Sequence, residues 1–157
     1  MENNYDVIIL GAGASGMTAA LAVYENGLSV GLFEKQNLVG GTASVSGGII
    51  WAPMNSHMKD KGIKDERSMA IDYFMSLSNG EIDPIRLESF IDNCSSAIDF
   101  IEEKTDANFY VLDGYPDYYL DRPGAILGGG RALDNKLFNY CKLGKWAKKV
   151  RNNGMPI

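Results

Sequence analysis

The first apolar run along the chain is Val7, Ile8, Ile9 and Leu10. An unbroken run of this length predicts a strand buried on both faces in a parallel sheet. Behind it Met17, Ala20, Leu21 and Tyr24 recur at helical spacing, and residues 29–33 form a second short apolar run. The pattern is strand, helix, strand. From Pro53 to Lys61 the chain is polar and reads as a loop. Over 65–77 Met69, Tyr73 and Leu77 share one helical face, and Ser78-Asn79-Gly80 ends it. Asp83 can cap a further helix whose first position suits Pro84. That helix should run to about Lys104 on the stripe Leu87, Phe90, Ile91, Cys94, Ala97, Ile98 and Ile101. Residues 108–112 suit a short strand. The segment 143–151, with Lys145, Lys148, Lys149 and Arg151 around Trp146 and Val150, reads as a solvated amphipathic helix.

Composition narrows the classes. The 157 residues are enough for one domain with a real core, and 45% hydrophobic with 22% charged is ordinary for a soluble protein. A net charge of −5 supplies no basic field for nucleic acid or an acidic membrane. No apolar run approaches the roughly 18 residues of a membrane helix, and the N-terminus shows no signal peptide. Cys94 and Cys141 stand far apart without metal-ligand spacing, so both are expected to be reduced packing residues in a cytoplasmic protein. His57 is the only histidine, which leaves no His-rich metal site and makes a Ser-His-Asp triad a poor fit. No metal is expected.

The chemistry enters between the first strand and helix. Gly11, Gly13 and Gly16 stand in the order G-x-G-x-x-G, a spacing that means little in a chain with 18 glycines until its context is added. Here the context is a strand before and a helix behind. Gly11 permits the tight turn, Gly13 leaves room for a pyrophosphate, and Gly16 lets the helix approach the sheet. The free amides and positive dipole end of the helix face the phosphates. Glu34, directly after the second strand, can accept hydrogen bonds from ribose hydroxyls and repel a 2′-phosphate. A second glycine-rich stretch, 40–48, offers amides and small hydroxyls for a close polar contact, while Val39, Val45 and Ile49-Ile50-Trp51 suggest partial burial.

Gly11-Ala12-Gly13-Ala14-Ser15-Gly16, then Phe33-Glu34-Lys35, then Gly40-Gly41-Thr42-Ala43-Ser44 with Ser46-Gly47-Gly48 and Trp51, resembles the FAD-dependent 3-ketosteroid dehydrogenase group. That group lies within the fumarate reductase/succinate dehydrogenase flavoprotein superfamily. The resemblance implies an α/β, Rossmann-like FAD-binding fold of the glutathione-reductase type, incomplete here, with a helical excursion after the second strand. It implies FAD held by Gly11, Ala12, Gly13, Ser15, Gly16, Glu34, Lys35, Gly41, Thr42, Ser46, Gly47 and Gly48.

Residues 113–124 read by themselves as an aromatic-rich turn. Tyr115-Pro116-Asp117-Tyr118-Tyr119, followed by Pro123-Gly124 and later Gly130-Arg131, is similar to the same group, and the match places Tyr118 at an active-site tyrosine. In the group that tyrosine supports a second one, which removes a proton beside a ketone. A phenol with pKa about 10 is a poor base unaided, so a phenolic neighbour is a sensible way to stabilise its anion. The implied substrate is a steroid or alicyclic ketone. The expectation is that residues 1–157 form the N-terminal portion of an FAD-binding domain, the substrate domain and the return of the flavin domain lying elsewhere. A second, larger chain would complete the enzyme. The alternatives are a fumarate-reductase-like or enoate-reducing flavoprotein, or a non-catalytic FAD-binding subunit.

Overall fold

The computed structural model describes residues 4–152. Met1–Asn3, the start of the segment read as lacking a signal peptide, lie outside the described residues. The chain divides into two compact units, Met1–Gly48 with Asn139–Ile157, and Ile49–Phe138.

In the first unit β1 (Val7–Leu10) pairs in parallel with β2 (Val30–Phe33), in the register Val7↔Val30 to Leu10↔Phe33. The crossover is α1 (Ala14–Glu25), packed on both strands. Its closest approach is at Gly16, where an added Cβ would stand 1.9 Å from the Gly11 carbonyl oxygen. The expected burial of β1 on both faces does not hold. Ile8 is 62% and Leu10 82% exposed, because the described residues of this unit place α1 on one face of the sheet and no second layer on the other. The same reason leaves α1 without a fully buried residue.

After β2 the chain turns through a short 3-10 helix, Ala43–Val45. The segment at the far end of the chain then returns beside it, against the expectation of a solvated helix. Tyr140–Lys149 is a pair of 3-10 turns kinked at Gly144 (φ 52°, ψ −125°), where glycine alone adopts the backbone easily. Val150 follows in a parallel bridge with Val39, closed by Val39 N–H to the Lys149 carbonyl and Arg151 N–H to the Val39 carbonyl, both 2.8 Å. Cys141 in this segment is exposed rather than packed.

The second unit is built on an antiparallel sheet in the order β3 (Ile50–Trp51), β5 (Ala132–Asn135), β4 (Phe109–Val111). The stretch read as a loop contains a short helix, α2 (Ser56–Asp60). It has one buried side chain, Met58, too few for a hydrophobic period, and its start depends on Asn55. Asn55 is fully buried and fully used: Oδ1 accepts from Met58 N–H, and Nδ2 donates to the carbonyls of Ala52 and Gly130. Then come α3 (Arg67–Ser78), ended by Asn79 at φ 49°, and α4 (Pro84–Lys104), capped as expected by Asp83 Oδ1 accepting from Ile85 N–H. Leu87, Ile91, Cys94 and Ile98 are the buried rungs of α4. Burying each such side chain contributes about 1.5–3 kcal/mol, so this stripe holds the helix down. Phe90 and Ala97, expected on it, are exposed. Leu87 and Ile91 pack with Ala70 of α3, whereas Cys94 and Ile98 join Met58, Phe109, Val111 and Leu133 in the main core. Burial pushes the Cys94 thiol pKa up, as befits a packing residue.

Candidate functional site: a glycine-walled cleft and a tyrosine loop

In the first unit the two glycine motifs meet. Gly40 N–H donates to the Ala12 carbonyl at 2.7 Å. A Cβ added to Gly41 would lie 3.2 Å from the Cα of Gly13, so the two backbones run almost in contact. Gly13 is also the N-cap of α1 and offers no side chain to its first amides. Those amides are thus left for a ligand. Gly11 leaves β1 at φ 101°, the conformation that favours glycine.

Glu34 closes the turn from the other side. Its Oε2 accepts from Ala12 N–H at 2.8 Å and its Oε1 from Gln36 N–H at 2.9 Å. These bonds, the one from Ala12 first, hold its pKa below the ordinary carboxylate range. Around these residues lies a cleft of about 1110 Å³. Of the residues expected to bind, Gly11, Gly13, Glu34, Lys35, Gly41 and Thr42 line it. Ala12 is buried behind the turn and Gly16 beneath it. Ser15 is exposed on the first turn of α1 and is not among the lining residues. Ser46, Gly47 and Gly48 are not either: Ser46 Oγ accepts from Gly48 N–H at 3.2 Å in a turn of its own. The cleft also takes lining from Gln36, Asn37, Leu38 and Arg151, which the sequence did not single out. For Arg151 no local signal exists, since only the Val39–Val150 bridge brings it there.

The second unit carries the tyrosine loop. Tyr118 is 80% exposed, and its hydroxyl lies 3.3 Å from that of Tyr115, with the rings edge to face at 6.3 Å. The hydrogen bond between the two hydroxyls raises the pKa of Tyr115. Between the two, Asp117 turns inward and is 5% exposed. The sequence carried Asp117 and Arg131 only as motif residues and gave no sign that they pair, because a buried charge has no periodic signature. Among the described residues no cluster of His, Cys, Asp and Glu could hold a metal ion, and no helix is long and apolar enough to cross a membrane.

A strand-turn-helix with an acid after the second strand, meeting a second glycine motif, is the arrangement of a dinucleotide-binding flavoprotein. Residues 6–145 match the family described as FAD binding domain, so the chain belongs to that family and its cofactor is FAD. The chain is 37% identical over 154 residues to 4-oxocyclohexanecarboxylate 2-dehydrogenase of Sinomonas cyclohexanicum, covering 98% of this chain and 27% of that protein. It is 35% identical over 140 residues to 3-oxosteroid 1-dehydrogenase of Mycobacterium tuberculosis, covering 89% and 25%. The crystal structure of 3-ketosteroid delta1-dehydrogenase from Sterolibacterium denitrificans, in complex with 1,4-androstadiene-3,17-dione, superposes with a TM-score of 0.88 at 36% identity, covering 96% of this chain and 26% of that one. The resemblance read from the motifs is thus borne out, as is the FAD-binding fold. The chain spans about a quarter of the length of these relatives.

Proposed function

We propose that the first unit holds the ADP half of FAD and that the complete protein removes two hydrogens from adjacent carbons beside a ketone on a steroid or alicyclic substrate. The ribose would meet Glu34, the pyrophosphate the amides at Gly13 and the start of α1, and the next part of the cofactor Gly41 and Thr42. The cleft fits such a group, because Gly13 and Gly41 leave its wall free of side chains and Glu34 stays ionised. Bound FAD supplies a two-electron acceptor for hydride.

The observation that carries the catalytic half is the phenol pair Tyr115–Tyr118. On this reading Tyr115 donates to the Tyr118 oxygen across the 3.3 Å contact, where either hydroxyl can be the donor, and so polarises the Tyr118 phenol. Tyr118 is then a better donor to a phenolate elsewhere in the complete protein, the base that takes the proton beside the ketone. As the C–H bond breaks, its electron pair forms the new C=C bond and the neighbouring carbon gives up hydride.

On this reading residues 1–157 are the N-terminal portion of the FAD-binding domain. The substrate domain and the return of the flavin domain come from further sequence or a larger partner chain. Two free cysteines suit a reducing, cytoplasmic setting. The test is anaerobic flavin reduction by a cyclic ketone in the complete protein. Tyr118→Phe should retain full flavin and slow reduction by about ten- to hundredfold, the loss of one supporting hydrogen bond. Tyr119→Phe should be milder. Parental reduction rates in Tyr118→Phe would overturn the assignment.

A further inference from the structure

We propose that Arg131, backed by Asp65, is a positioning residue that sets Tyr118 in place by way of Asp117; this rests on the reading that Tyr118 takes part in the proton chemistry.

The Arg131 side chain is 1% exposed, and each of its three guanidinium nitrogens donates a hydrogen bond. Nε and Nη2 donate to the two carboxylate oxygens of Asp65 at 2.9 and 2.6 Å, and Nη1 donates to Asp117 Oδ2 at 2.8 Å. The guanidinium stands 5.2 Å from the Trp51 ring centre and 5.8 Å from that of Tyr73. Further donors meet the same two carboxylates. Asp117 Oδ1 accepts from the Trp51 indole N–H at 2.7 Å and Oδ2 from Ile126 N–H, while Asp65 accepts from Met54 and Glu66 N–H. No buried side-chain nitrogen or oxygen among the described residues lacks a partner.

Stability alone is a weak reason for such a network. Two carboxylates and one guanidinium have been taken out of water, and well-packed apolar side chains of similar volume would hold the fold as well or better. What a directional network of charge-assisted bonds does provide is geometry. Its effect lands on Tyr118 from both sides. The residue before it, Asp117, is fixed by three side-chain bonds. The residue after it, Tyr119, donates its N–H to the hydroxyl of Tyr73 at 3.2 Å, and Tyr73 lies beside the same guanidinium. Among the described residues the Tyr118 side chain makes one hydroxyl contact, to Tyr115. Within this chain its direction is therefore set chiefly by backbone held at both neighbours. Tyr115 is held as well: its carbonyl oxygen would lie 2.4 Å from a Cβ on Gly129, so only glycine permits that approach.

Misplacing a reacting group by about 1 Å can cost a hundredfold in rate. A structural role and a positioning role separate in a double-mutant cycle, because only positioning acts through Tyr118. The experiment uses the complete protein and measures the limiting rate of anaerobic flavin reduction by a cyclic ketone, the substrate concentration at half rate, and flavin content. Arg131→Lys keeps the charge and loses the fork. It should lower the limiting rate about tenfold, leave the half-rate concentration within about twofold, and retain full flavin. In the Tyr118→Phe background the same change should cost no more than about twofold. An equal loss in both backgrounds, or no loss in either, overturns the proposal. A parental rate in Tyr118→Phe alone instead brings down the reading beneath it, and the two failures are distinct. Should Arg131→Lys not fold, Trp51→Phe removes one N–H from Asp117 and is read in the same cycle: loss confined to the Tyr118 background supports positioning, and equal loss refutes it.

Discussion

The backbone N–H of Ala12, in the turn between β1 and α1, donates to the Glu34 carboxylate at the end of β2 at 2.8 Å. One acid therefore ties the turn to the neighbouring strand and faces the cleft. Glu34→Ala should weaken ADP and FAD binding and leave riboflavin 5′-phosphate binding nearly unchanged, because in the proposed binding mode the acid meets the adenosine ribose. Titration of the flavin-free complete protein with the three ligands checks this. Equal losses for all three would mean that Glu34 acts only by shaping the turn.

The same bond sets a pH dependence. The folded carboxyl has its pKa lowered by Ala12 and Gln36 N–H, so its contribution is fully present above the ordinary glutamate value of about 4.3. It is lost as the pH falls through the lower folded value. FAD affinity should thus hold steady from pH 7 to about 5 and drop in more acid solution, and Glu34→Gln should flatten that drop. A parental profile in Glu34→Gln would assign the titration to another group.

Gly16→Ala should damage the cleft, since the new Cβ would sit 1.9 Å from the Gly11 carbonyl and neither backbone can yield cheaply. We expect at least tenfold weaker FAD binding. Gly128→Ala is the control: nothing lies within 4 Å of its Cβ and its φ is not positive, so the change should cost no more than about 0.5 kcal/mol. Flavin content after purification distinguishes the two.

Arg151 brings a positive charge to the cleft wall. A cation there suits a pyrophosphate, so Arg151→Ala should weaken ADP about tenfold while adenosine binding stays within about twofold. The Val39–Val150 bridge is made by the backbone and survives the change. Adenosine losing the same factor would move the contact from phosphate to base.

In the second unit Ile98 is 4% exposed within the main core. Ile98→Ala should destabilise that unit by about 2–5 kcal/mol, read from denaturant midpoints at unchanged slope. Arg131→Leu should cost about 3–5 kcal/mol, because it strands two buried carboxylates. A milder effect would show that Asp65 or Asp117 takes up a proton.

What could be read along the chain was local. The apolar runs gave β1 and β2, helical spacing with Asp83 and Pro84 gave α4, and the glycines with Glu34 pointed to the cofactor, because each depends on neighbours within a few residues. Tertiary structure decided the rest. That Gly41 packs on Gly13, that Glu34 bonds Ala12, and that Val150 returns to Val39 are contacts across the sequence with no periodic trace. The helix at Ser56–Asp60 was hidden because its start hangs on one buried asparagine bonded to a distant carbonyl, that of Gly130. Asp117 and Arg131 stood in the sequence only as motif letters, since burying them is tolerable only when a fork, an indole and backbone amides converge from separate elements. The exposure of Ile8 and Leu10 has the opposite origin: the sequence specifies a strand made for two covered faces, and the described residues of the unit cover one.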